Sequence, residues 1–147
     1  MIKVVGSVAL VLLAVAFSFG RKEETLKELI ARTEASRPDQ QPDLYMEAAD
    51  RQRKAAMEAM KAEHWEEFDA DLQDIVSFCD KARAAAIGST KHIKNTEIRI
   101  RRISNHLKDI KLDVALDDQP KLQVVVNKLE EFRTELLRRM FGGKGND

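Results

Sequence analysis

His64, His92, His106 and Cys79, with Met46, Met57, Met60 and Met140, are the side chains of this 147-residue chain that could ligate a metal or hold a haem. Cys79 is the single cysteine, so neither an intramolecular disulfide nor a multi-cysteine metal site can form. His64-Trp65-Glu66-Glu67 superficially suggests a zinc-protease helix, yet the second histidine of H-E-x-x-H is missing. His92 and His106 fall on nearly one face of a predicted helix, about four turns apart at 3.6 residues per turn. That separation is too large for one shared ion. A C-x-x-C-H haem attachment is absent, while a non-covalent haem held by one methionine and one histidine stays open as an alternative. No Gly-rich phosphate loop, nucleophile elbow, or Ser/His/Asp or Cys/His frame is present. The reading is therefore non-enzymatic, with no catalytic, cofactor-binding or metal-ligating residue assigned.

The run Arg99, Arg101, Arg102 could touch nucleic acid or anionic lipid. With no aromatic residue nearby and a formal net charge of +0, it reads instead as a solvated, acid-paired helix face, and no nucleic-acid partner is expected. Cys79 falls in an apolar seam and reads as a small core residue, with an intermolecular disulfide as the alternative. Trp65, Phe68 and Phe132 read as core aromatics.

These residues need helices to position them. Charged residues are 34% of the chain and aromatics 5%, with six glycines and three prolines, a mixture that suits helices better than a turn-rich sheet. Residues 1–20 carry Lys3 and then an uncharged run from Val4 to Gly20, with small residues at Ser18 and Gly20. That pattern is expected of a cleaved secretory signal peptide, with an uncleaved membrane anchor as the alternative. The expected organisation is a leader at 1–20, a helical domain at 21–141 and a disordered tail at 142–147. The localisation expected is periplasmic or extracellular, or membrane-anchored through residues 1–20 with the domain outside.

Downstream, the spacing predicts a first helix over about Glu23–Ser36, with Leu26, Leu29, Ile30 and Thr33 on one side. Pro38 ends it, and Pro42 opens a second helix reaching about Glu63. Tyr45, Ala49, Gln52, Ala56, Ala59 and Met60 form the second helix's expected face. The third helix carries Trp65, Phe68, Leu72, Ile75, Cys79, Ala82 and Ala86 at alternating spacings of three and four, a coiled-coil-like period. Gly88 is expected to cap its end, and Ser89 or Thr90 to open the next helix. Ile93, Thr96, Ile100, Ile103, Leu107, Ile110 and Val114 repeat the spacing in a fourth helix. Asp117 or Asp118 is expected to cap a fifth, with Leu122, Val125, Leu129, Phe132, Leu136 and Met140 as its stripe. Short loops make the fold class an all-α antiparallel bundle of about four to five helices after a signal or anchor helix. The third helix is acidic and the fourth basic, so their flanks are expected to assist pairing.

Within this pattern, Lys61 to Val76, K-A-E-H-W-E-E-F-D-A-D-L-Q-D-I-V, resembles the turn between the two helices of a tetratricopeptide repeat. Trp65 stands where that family opens its second helix with an aromatic, and Ala56 stands at the small position of the first. Phe68 departs from the family, which has a small residue there. The resemblance spans residues 43–87 and implies a helical interaction scaffold. The functional expectation is an exported protein-interaction module that binds a protein partner or itself through helix faces. A small extracytoplasmic chaperone or stress sensor, or a metal- or haem-binding bundle, is the alternative.

Overall fold

The computed structural model describes residues 24–142, and every ordered element there is helical. The leader expected at residues 1–20, and the tail after Gly142, lie outside the described residues. Among those described, no helix is long and apolar enough to cross a membrane.

Helix α1, Leu26–Glu34, is shorter than its periodicity predicts because Thr25 caps it. Thr25 Oγ1 accepts from the Glu28 N–H at 3.2 Å, and the Glu28 carboxylate accepts from the Thr25 N–H at 3.4 Å. This reciprocal box satisfies two otherwise orphaned donors. Helix α2, Gln41–Lys61, has Pro42 in its first turn, as its fixed φ allows. Met46, Ala48, Ala49, Ala56, Met57 and Ala59 are its buried apolar side chains; Tyr45 and Met60 of the expected face are only partly covered.

The α2 end is closed by main-chain geometry. Glu63 takes a left-handed conformation (φ 58°), the Glu63 N–H donates to the Met60 carbonyl at 3.1 Å, and the His64 N–H to Ala59 at 2.9 Å. That pair of bonds is a Schellman closure, with glutamate where glycine is usual. Helix α3, Trp65–Ser89, follows at once. Phe68, Leu72, Ile75, Cys79, Ala82 and Ala86 are all buried, and Trp65 meets Phe68 edge-on at 5.7 Å between ring centroids. The expected stripe is the observed one.

The expected cap at Gly88 is corrected. Gly88 is still helical, the helix runs through Ser89, and Thr90 takes the left-handed cap position (φ 57°). Ser89 and Thr90 therefore close α3 rather than opening the next helix, and His92 (φ 62°) is the residue that precedes it. The chain reverses through two left-handed residues, Thr90 and His92, with Lys91 between them, so glycine's freedom is not what sets the boundary.

Helix α4 is Ile93–Asp109, not the continuous rod to Val114 that the spacing predicts. Beyond Ile110 the chain makes two 3₁₀ turns, Lys111–Asp113 and Leu116–Asp118, with an extended Val114 between them. Val114 is nonetheless buried, because facing inward requires position and not helical backbone. Pro120 explains why α5 cannot continue from the preceding turns: inside a helix it would lack an N–H and clash with the carbonyl of Leu116. Helix α5, Gln119–Phe141, starts afresh with Pro120 in its first turn. Asp118 occupies the cap position without a side-chain capping bond; its carboxylate lies 3.5 Å from Lys121 Nζ. Leu122, Val125, Leu129 and Leu136 are buried, with Phe132 packed beside them.

Packing is closest between α2 and α3 and between α4 and α5, while α1 lies on α2. Gln52 Nε2 bridges Asp71 and Asp74 at 3.3 and 2.8 Å, and Lys81 stands over the Tyr45 ring. Between α4 and α5, Ser104 bonds Glu130 and Glu97 meets Arg133. The remaining contacts join like positions of the two pairs. Asp43 meets Asn95 and Arg53 meets His106 across α2 and α4; Asp69 meets Lys121 and Arg83 meets Glu135 across α3 and α5.

The expected pairing of acidic α3 with basic α4 is also corrected. Among the described residues no ion pair joins them: Asp69 takes Lys121 of α5, and Lys108 takes Glu130 of α5. α3 and α4 touch far less than either touches its main partner, which leaves their charged flanks out of reach of each other.

Candidate functional site

Three concentrations of side chains stand out. The first is an ion-pair seam between α4 and α5. Glu97 is 3% exposed, so its charge must be met inside the protein. Arg133 Nε and Nη2 each lie 3.1 Å from Glu97 Oε1, and Arg133 Nη1 is 2.6 Å from Glu130. Ser104 Oγ donates to Glu130 at 2.7 Å and Lys108 Nζ at 2.9 Å. Burial works against ionisation of Glu130, but these donors and the nearby cations outweigh it and hold its pKa below the usual 4.5. Every charge in the seam is matched, so it reads as a structural fastening.

The second is a groove of about 340 Å³ between α2 and α4, lined by Met46, Asp50, Arg53, Arg99, Arg102, Ile103 and His106. Arg53 Nε donates to Asp50 at 2.8 Å, and Arg53 Nη1 lies 2.9 Å from His106 Nδ1. Arginine has no lone pair to offer, so it is the donor and His106 Nδ1 the acceptor. The third is apolar. Leu112 (88% exposed) and Leu116 (79%) project from the α4–α5 connection, and Val124 is exposed in the second turn of α5.

The residues singled out by chemistry scatter. His64 is exposed beside Glu67, and His92 lies 3.4 Å from Asp43. His106 lines the groove together with Met46, and its Nδ1 lies 2.9 Å from Arg53 Nη1. Among the described residues no group of three or more His, Cys, Asp or Glu side chains could hold a metal ion. Cys79 is fully buried, which pushes its thiol pKa well above the ordinary value and keeps the thiolate from forming. Of the basic run, Arg101 lies 3.8 Å from Glu97, the acid pairing expected for a helix face, whereas Arg99 and Arg102 line the groove. Nothing local in the sequence joins Arg53 to Arg99, because the groove exists only once α2 lies against α4.

Matched against protein-family models, curated proteins and solved structures, the chain finds no counterpart in any of the three.

Proposed function

We propose that this chain is a non-enzymatic, exported helical module that binds a protein partner or a second copy of itself. Its scaffold is two antiparallel helix pairs, α2–α3 and α4–α5, set side by side. The bonds that run between residues about 52 positions apart support this arrangement, since they join α2 to α4 and α3 to α5. The turn at Ala62–His64 ahead of Trp65, and the side-by-side pairs, agree with the tetratricopeptide-like reading of residues 43–87. The 3–4 seams on α3 and α4 support a coiled-coil-like character. Export rests on the leader's sequence pattern alone.

The observation that carries the reading is the pair Leu112 and Leu116, left 88% and 79% exposed in a connection whose other large apolar residues, Ile110 and Val114, are buried. Two large aliphatic side chains left exposed on one short connection contribute nothing to the core, and where such side chains merge into one apolar patch they mark a contact surface. The test is size-exclusion chromatography of the purified protein, alone and with an envelope extract, beside a Leu112→Asp/Leu116→Asp variant. The reading expects a larger species that the variant fails to form while keeping its helical circular-dichroism spectrum. A monomer that retains nothing, in both proteins, contradicts it.

A further inference from the structure

The α2–α4 groove holds positive charge that the rest of the molecule leaves unneutralised. Two other partly buried arginines each face two acids: Arg83 lies 2.5 Å from Asp80 and 2.9 Å from Glu135, and Arg133 pairs with Glu97 and Glu130. In the groove Arg53 has only Asp50, although its side chain is just 18% exposed. Arg99 Nη1 donates to a main-chain carbonyl, that of Asp43, at 3.2 Å. Neither Arg99 nor Arg102 has a carboxylate within ion-pair distance among the described residues.

Three guanidinium groups against one carboxylate leave an excess of two positive charges in a concave site, where water screens them less than on an open helix face. A guanidinium presents parallel N–H donors that match two oxygens of one phosphate. With Nδ1 accepting from Arg53, neutral His106 carries its proton on Nε2 and adds another donor. A phosphate group offers several oxygens to the three guanidinium groups at once, and as a monoester its charge of about −1.5 to −2 offsets most of the excess. The cavity, about 340 Å³, is at the small end of ligand sites. We propose that this groove binds a phosphate-class oxyanion, the group shared by small soluble phosphates and phospholipid headgroups.

The test uses two probes on the full chain: inorganic phosphate by isothermal titration, and phosphatidylglycerol vesicles by co-sedimentation, with phosphatidylcholine vesicles as the neutral control. Variants are Arg99→Gln/Arg102→Gln, the single Arg102→Glu at an exposed position in case the pair unfolds, and Arg101→Gln outside the groove. The expected result is saturable binding weakened at least about tenfold, roughly the value of one lost charged contact, by the groove variants and unchanged in Arg101→Gln. Phosphate binding without vesicle binding identifies a soluble ligand; vesicle binding competed by phosphate identifies a headgroup. Either supports the proposal. Absence of binding to both probes, or binding that falls as much in Arg101→Gln as in the groove variants, overturns it.

Discussion

At the scale of single residues, the turns hold backbone conformations their side chains do not favour. Glu63 and Thr90 sit at φ 58° and 57°, where a Cβ costs about 1–2 kcal/mol, and Thr90 is β-branched as well. Gly88, by contrast, is a helical residue with open space where a Cβ would stand. Glycine is thus absent from these two positions, as from His92 (φ 62°), and present at one that does not need it. Glu63→Gly and Thr90→Gly are each expected to stabilise by about 0.5–1 kcal/mol, the relieved strain exceeding the entropy that glycine adds to the unfolded chain. Gly88→Ala is expected to add a similar amount, about 0.5–1 kcal/mol. Urea unfolding midpoints check all three, and a lowered midpoint for Gly88→Ala would return that residue to a capping role. These positions also show where sequence reading stops. Glycine is the commonest helix-ending residue, so Gly88 draws the boundary to itself, and nothing in the letters announces that Thr90 adopts the turn instead.

At the scale of elements, the α4–α5 seam should make stability depend on acid. The pKa of Glu130 is lowered in the folded protein, so its contribution is fully present above the ordinary value of 4.5 and is lost as pH falls through the lower folded value. Glu130→Gln is therefore expected to cost about 1 kcal/mol or less at neutral pH, since the carboxylate is partly solvated, with the gap to wild type closing in acid. Unfolding midpoints between neutral and acid pH read this directly; a gap that persists in acid would mean that packing, not charge, is what Glu130 supplies. Glu97→Ala should cost more, about 1.5–3 kcal/mol, because the charge it removes is buried and hydrogen-bonded to Arg133. The stripes on α3 and α5 were legible because each large inward side chain recurs at helical spacing. The α2 face is less so: an alanine-rich helix offers several faces of similar character, and the spacing does not single out the buried Met46 and Met57. The α4 spacing predicts the inward residues through Val114 but not the backbone that carries them, since an inward position can be reached from a loop.

At the scale of the molecule, the fold class follows from local pattern, whereas the groove and the order of the helices depend on contacts across about 52 positions. Acidic and basic composition alone suggests that α3 pairs with α4, while the ion pairs run from α3 to α5 and from α4 to α5. The central claim is that two helix pairs lie side by side, like helix beside like helix, as the scaffold for both the exposed leucines and the arginine groove. Zero-length carbodiimide cross-linking mapped by mass spectrometry tests it most directly, because such a bond forms only between an amine and a carboxylate already in contact. The account predicts isopeptide links between Lys121 and Asp69, 2.7 Å apart, and between Lys108 and Glu130, 2.9 Å apart. Lys108 joined instead to the acids of α3, with no link from Lys121 to Asp69, would contradict it.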